Sequence, residues 1–322
     1  MRHVSLISTL LGIFIGYFVG SQIVHDLNSE DEFMYDNRSQ PQNHKLDHVH
    51  EESAVQKDLY KEVRVLCWIM SNPKNLKKQK AVFETWGKRC NKFLIMSSEK
   101  AENLPVVALP VKEGRKNLWA KTKEAFKYVY KNHLDDADWF LKADDDTYVI
   151  LENLRAFLYQ HDTNDPIYFG CHLKGKVEQG FNSGGAGYVL SKEALKRFIK
   201  EALPNSEKCR KHPNGAEDVT MGKCLQNVGV KVGDTRDKEG KSRFLPMKPN
   251  THMFPKHNNF DKWYYLHSFH PTTEGLNCCS EETISFHYIP PLKMYGLEYL
   301  IYHLKPYGVQ PYYELPEKIK KN

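Results

Sequence analysis

The sequence predicts an α/β fold on a Rossmann-like, mostly parallel sheet, and three observations carry that expectation. Apolar strand-like runs alternate with helical patterns through the first half of the chain. The last of these runs, Trp139-Phe-Leu-Lys-Ala-Asp-Asp-Asp-Thr-Tyr-Val-Ile150, stops abruptly in three consecutive carboxylates. Ligands of open α/β sheets bind beyond the carboxyl ends of strands, the place this triplet takes. Finally, the residues after position 60 show no internal repeat and no second linker, so they suit one large domain.

Taken in order, Val63-Arg-Val-Leu-Cys-Trp-Ile-Met70 reads as a buried strand and Ser71-Asn-Pro73 as a turn. Leu76 to Trp86 has helical periodicity, and Lys92 to Ser97 is the next strand. A short strand near Pro105 to Leu109 leads through Lys112-Glu-Gly-Arg115 to a helix over Asn117 to Asn132, then to a strand over Asp138 to Lys142. No G-x-G-x-x-G or Walker pattern accompanies this alternation, so any phosphates must be held by something else.

The second half carries more compact signals. Gly180-Phe-Asn-Ser-Gly-Gly-Ala-Gly-Tyr188 packs four glycines into nine positions. It is either a close backbone approach to a ligand or an irregular turn before the helix capped by Ser191. Glu217 and Asp218 open an amphipathic helix over Thr220 to Val228. They offset the helix dipole, or one of them serves as a general base. Ile284 to Ile289 alternates like a strand and carries His287, structural or a metal ligand. Phe254 to His270, with Phe260, Trp263, Tyr264, Tyr265 and Phe269, offers aromatic faces either to the core or to a sugar.

Asp144, Asp145 and Asp146 cannot all ionise cheaply unless a cation or strong donors compensate them. Alternation in an extended chain lets Asp144 and Asp146 share one ion while Asp145 turns elsewhere. Hard oxygen ligands suit Mg²⁺ or Mn²⁺, which bridge to nucleotide phosphates. The same three residues read equally well as an acidic cap for the following helix.

Residues 4–24 form an uncharged 21-residue run after Arg2 and His3, long enough to span a bilayer. The flanking charges favour a short cytoplasmic tail at 1–3 and a lumenal body, a type II signal anchor. A cleaved signal peptide is the competing reading. Residues 25–60 are polar and acidic, net −6, and predict a disordered stem bearing an N-glycosylation sequon at Asn37. Residues 61–322 carry 42 basic and 31 acidic side chains, a net of +11 that suits a polyanionic ligand such as a nucleotide diphosphate. Nucleic acid is excluded behind a membrane anchor. Seven cysteines in a lumenal body predict disulfides with one thiol left over, Cys278 and Cys279 forming either a vicinal pair or two separate bridges. Without C-x-x-C spacing, a structural zinc site is disfavoured.

Anchor, stem, basic body and acidic triplet together resemble a Golgi glycosyltransferase of the GT-A fold, a Rossmann-like mixed sheet flanked by helices. The words Arg64-Val-Leu-Cys-Trp-Ile-Met70, Glu84-Thr-Trp86, Ala137-Asp-Trp-Phe-Leu-Lys-Ala-Asp-Asp-Asp-Thr-Tyr148, Ser183-Gly-Gly-Ala-Gly-Tyr-Val-Leu-Ser191, Glu217-Asp218, Gly233-Asp-Thr-Arg236, Cys278-Cys-Ser280 and Ser285-Phe-His-Tyr288 resemble the core 1 β1,3-galactosyltransferases of glycosyltransferase family 31. The likeness runs from about residue 63 to Gly308.

That resemblance implies inverting transfer of galactose from UDP-galactose to the 3-hydroxyl of N-acetylgalactosamine on Ser or Thr of glycoproteins, with Mn²⁺. It implies Asp144, Asp146 and His287 as metal ligands and Asp218 as the base. Met70, Glu113, Gly114, Arg115, Lys121, Asp144 and Tyr288 match nucleotide-contacting positions. Trp263, Gly184, Gly185 and Glu217 are acceptor-side candidates. The family's cysteine pattern pairs Cys67 with Cys90, Cys209 with Cys224 and Cys278 with Cys279, leaving Cys171 free. The resemblance alone adds a homodimer and a dedicated chaperone as partners. The chain departs from the vertebrate-like pattern at Phe169-Gly-Cys-His-Leu173 and from Lys248 to Thr272, which bears on the acceptor. A silent chaperone-like relative, a fringe-like β1,3-transferase with another acceptor and a sugar-binding module are the alternatives.

Overall fold

The computed structural model describes residues 53–307. The expected anchor at 4–24, the Asn37 sequon and most of the expected stem lie outside the described residues. Among the described residues no helix is long and apolar enough to cross a membrane.

Helical structure reaches into the segment that composition reads as stem. Residues 54–60, assigned above to a disordered stem, belong to the helix Ala54–Glu62. Ser53 and Gln56 close a reciprocal capping box at its start. Leu59 is buried, the Tyr60 carbonyl accepts from Asn91 Nδ2, and the Arg155 guanidinium lies 4.7 Å above the Tyr60 ring. One buried leucine amid acidic residues is too faint a signal for composition to register.

A seven-stranded sheet forms the centre. Its strands are β1 (Val65–Met70), β2 (Lys92–Ser97), β3 (Val106–Ala108), β4 (Trp139–Asp144), β6 (Ile167–Gly170), β9 (Tyr188–Ser191) and β10 (Lys231–Val232). The order is β10-β6-β9-β4-β1-β2-β3. The strands β1, β2, β3 and β4 pair in parallel, and β9 runs antiparallel to both β4 and β6. The sheet is therefore mixed, and the reversal at β9 is what the alternation pattern did not disclose.

Alternation along β1 explains why the sheet sits in the middle of the molecule. Val65, Cys67 and Ile69 enter one apolar cluster, and Leu66, Trp68 and Met70 enter the other. Helix Leu118–His133 sends Trp119, Ala125, Phe126 and Val129 into the second cluster. Helix Leu76–Glu84 gives Ala81 and Val82 to the first.

The remaining strands are two residues long. β5 (Tyr148–Val149), β11 (Phe244–Leu245) and β12 (Ser285–Phe286) form a second sheet in the order β11-β12-β5, and β7 (His172–Leu173) pairs with β8 (Phe181–Asn182). His287 is thus past the end of its strand, not within it. Disulfides join Cys67 to Cys90, Cys209 to Cys224 and Cys278 to Cys279. Cys171 is free and buried, and burial pushes its thiol up to about 12.

Candidate active site

The acidic triplet leaves the carboxyl end of β4, where Asp144 stands beside Met70 of β1 in register. The chain then turns, the Thr147 amide donating to the Asp144 carbonyl, and enters β5. Because β5 pairs antiparallel with β12, Tyr148 opposite Phe286, the next residue of that segment, His287, arrives against the triplet. The Ile289 amide closes the arrangement by donating to the Asp146 carbonyl at 2.8 Å.

The three side chains that meet there are Asp144, Asp146 and His287, whose ligand atoms all lie within 4.8 Å of one another. His287 Nε2 is 3.1 Å from Asp146 Oδ1 and 3.8 Å from Asp144 Oδ2. The opposite oxygens are taken by lysines. Lys142 Nζ donates to Asp144 Oδ1 at 2.6 Å and Lys78 Nζ to Asp146 Oδ2 at 3.0 Å. Each carboxylate is pinned by one oxygen and offers the other to a common point. Asp145 is turned away: its Oδ2 accepts from Ser71 Oγ and Asn75 Nδ2, both at 2.7 Å.

This donor set fits a hard divalent cation: two carboxylate oxygens and one imidazole nitrogen converge. The backing of the histidine is equally specific. A Cβ added at Gly185 would stand 2.2 Å from His287 Cε1, so the ring occupies the space that a side chain would fill. Burial would raise the Asp146 carboxyl, but the His287 hydrogen bond and the Lys78 charge outweigh it and hold it at about 2. Burial raises Asp145 despite its two donors.

The glycine-rich segment forms the wall beside the cluster, and each of three successive carbonyls has a partner. Gly184 accepts from Lys142 Nζ at 3.0 Å, Gly185 from Thr147 Oγ1 at 2.7 Å and Ala186 from Ser285 Oγ at 2.6 Å. Gly187 has φ +80°, and a Cβ there would press on the Lys142 carbonyl at 3.1 Å. The turn into β9 therefore requires glycine.

Helix Glu217–Gln226 brings its first turn to the same wall. Asp218 Oδ2 accepts from the Gly184 amide at 3.3 Å and its Oδ1 from the Val219 amide at 2.8 Å. Glu217 is buried, its Oε1 accepting from Thr122 Oγ1 and Tyr188 Oη and its Oε2 lying 3.8 Å from Lys142 Nζ. Burial raises its carboxyl, with the Lys142 charge opposing. Of the two adjacent acids, Asp218 is the more accessible and Glu217 is committed to packing.

The Fringe-like family model matches residues 77–237. The glycoprotein-N-acetylgalactosamine 3-beta-galactosyltransferase 1 of Xenopus laevis is 46% identical over 271 residues, which is 84% of this chain and 74% of that protein. The chain belongs to this Fringe-like galactosyltransferase family. Two further relatives match locally. Homo sapiens chondroitin sulfate synthase 3 is 32% identical over 39% of this chain and 15% of its own length. Mus musculus beta-1,3-glucosyltransferase is 26% identical over 47% of this chain and 30% of its own.

In this member of the galactosyltransferase family, the nucleotide-side candidates divide. Lys121 Nζ donates to Ser71 O at 2.6 Å and to both oxygens of Glu113, whose Oε1 also accepts from the Ser98 amide. That pair holds the ends of β1 and β2 together. Gly114 follows with φ +108° and leads into Arg115. Tyr288 has φ +58° and lays its ring 3.8 Å from that of His287. Such a conformation is costly for a tyrosine and marks a position fixed by its surroundings. Arg115 is close enough to Tyr288 to lower its hydroxyl, although burial dominates and raises it.

Trp263 lies on helix Asn259–His267, 45% exposed, its ring stacked on His267 at 4.8 Å. Tyr264 is buried in the core, so the aromatic segment serves both packing and surface. Lys78 and Lys142 escaped the sequence reading. The one signal for Lys142 was a lysine inside an apolar strand, two residues before Asp144 and hence on its face.

Proposed function

We propose that the chain is an inverting UDP-galactose-dependent β1,3-galactosyltransferase that extends N-acetylgalactosamine on Ser or Thr of glycoproteins, building the core 1 O-glycan. The observation that carries this reading is the convergence of Asp144, Asp146 and His287 in a chain 46% identical to the glycoprotein-N-acetylgalactosamine 3-beta-galactosyltransferase 1 of Xenopus laevis. The mixed sheet with an acidic site at the end of β4 supports a GT-A fold. The uncharged run at 4–24 supports a single-pass type II anchor in the Golgi membrane.

Asp144, Asp146 and His287 would hold the metal, for which Mn²⁺ is our choice on its tolerance of mixed oxygen and imidazole ligands. When bound, the ion supplies positive charge against the departing diphosphate. The protein's residues do the rest. Asp218, oriented by the Gly184 amide, accepts the proton of the acceptor 3-hydroxyl. The hydroxyl oxygen forms its bond to the anomeric carbon on the face opposite UDP as the bond to the diphosphate oxygen breaks. Inversion follows from that single displacement. Arg115 and Tyr288 flank the donor, and Trp263 offers an apolar face to the acceptor sugar.

The test is transfer by the purified full chain from UDP-galactose to a GalNAc-threonine peptide, with and without Mn²⁺, and with linkage analysis of the product. A β1,3-linked disaccharide formed only with metal is expected. Hydrolysis of UDP-galactose without transfer would place the acceptor elsewhere, and no turnover at all would remove the enzyme reading.

A further inference from the structure

Lys142 is the most enclosed charged group of the site. Its side chain is 2% exposed, and its Nζ lies 5.7 Å above the Tyr188 ring. A buried ammonium survives only where its donors are matched, so the identity of its partners is informative. Nζ reaches Asp144 Oδ1 at 2.6 Å, the Gly184 carbonyl at 3.0 Å and Glu217 Oε2 at 3.8 Å. All three belong to the site, and they come from different elements.

The connection continues through Gly184. Its carbonyl accepts from Lys142 while its amide donates to Asp218. A Cβ at position 184 would stand 2.7 Å from Glu217 Oε2, so this backbone can lie against the carboxylate that faces Lys142 only as glycine. Glu217 is in turn anchored by Thr122 and Tyr188 through its other oxygen. One amine therefore fixes the rotation of a carboxylate in the metal cluster, the peptide that orients the proposed base, and the first residue of the base-bearing helix.

We propose that Lys142 is a positioning residue that locks the leaving-group half of the site and the base-bearing half into one geometry. It does not touch the substrate. Its effect is on the distance and angle between Asp218 and the donor held at Asp144. The inference rests on the metal reading given above.

The experiment compares Lys142→Met, Lys142→Arg and Asp144→Asn with the parent full chain, using near-ultraviolet circular dichroism, calorimetric titration of Mn²⁺ with UDP present, and kcat and KM. Lys142→Met removes a cation near the ion while freeing the Asp144 carboxylate, two opposing effects, so Mn²⁺ affinity should stay within about threefold of the parent. Its kcat should nevertheless fall about 100-fold, as misplaced reacting groups do, with the KM for UDP-galactose within about threefold. A merely structural strut would instead lose Mn²⁺ binding and turnover together, and that result would overturn the proposal. So would a kcat within about threefold of the parent. If Lys142→Met does not fold, Lys142→Arg decides. It keeps the charge with a different donor shape, and about tenfold lower kcat at parental Mn²⁺ affinity is expected, while parental kcat would overturn the proposal. Asp144→Asn separates the two readings. Should it retain full Mn²⁺ affinity, the metal assignment fails, while the kcat of the Lys142 variants still decides the positioning role.

Discussion

Asp144 of the proposed metal cluster and the proposed acceptor side are held by different kinds of backbone. Asp144 ends β4, which pairs on both sides, with β1 and β9, in the middle of a seven-stranded sheet. Asp218 sits in the first turn of a helix, oriented by a glycine-rich loop, and Trp263 is half-exposed on a nine-residue helix. A residue at the end of a central strand inherits its position from many ladder bonds. A residue held by a loop depends on a few contacts, here the Gly184 amide and the carbonyl partners of residues 184–186. The contrast puts the proposed leaving-group chemistry on a rigid platform and the proposed acceptor contacts on a more adjustable edge.

Among single substitutions, the largest expected effect lies on the loop side. Asp218→Asn should lower kcat about ten-thousand-fold while leaving UDP binding within about twofold, measured by single-turnover assay and calorimetry. Joint loss of turnover and UDP binding would give Asp218 a structural role instead. On the cluster side, chelation should abolish transfer, and His287→Ala should cost about 1,000-fold in kcat with Mn²⁺ affinity falling in parallel. Mn²⁺ titration separates the two variants: the histidine variant should lose the ion and the aspartate variant should keep it.

Gly185→Ala probes the seam between the regions. Its Cβ falls on the His287 ring, so Mn²⁺ binding should weaken about tenfold, although no ligand has been changed. Trp263→Ala should raise the KM for the glycopeptide about tenfold and leave that for UDP-galactose unchanged.

The smallest effect is on stability. Buried His252 accepts from the Met247 amide through Nε2, and burial lowers it from 6.5 to about 4. Between those values the unfolded chain binds a proton that the folded chain refuses. The stabilisation is therefore complete above 6.5 and lost as pH falls through 4, and Tm should drop by roughly 5 °C across that window. His252→Gln should flatten the dependence.

The platform was more legible in the sequence than the edge, and the reason is physical. Strands such as Lys92–Ser97 are short continuous apolar runs, a signal that survives in one dimension. The two-residue strands β5, β11 and β12 carry no period, so the residues alone left His287 either structural or a metal ligand and the family resemblance made the choice, and the strand expected over 284–289 shrank to Ser285–Phe286. Antiparallel β9 hid because a buried reversed strand has the composition of a parallel one. The helix at 54–62 was masked by the acidic residues around a single buried leucine. Lys142 and Lys78 were missed because their meaning lies in which carboxylate oxygen they occupy, and spacing does not encode that.

The central claim is that Asp144, Asp146 and His287 hold one ion for the departing nucleotide. It is tested most directly by growing crystals of the protein with UDP and Mn²⁺ and measuring anomalous scattering at the manganese edge. A single peak is expected within coordination distance of Asp144, Asp146 and His287 Nε2, shared with the diphosphate. Bound UDP with the peak elsewhere, or with none at this cluster, would contradict it.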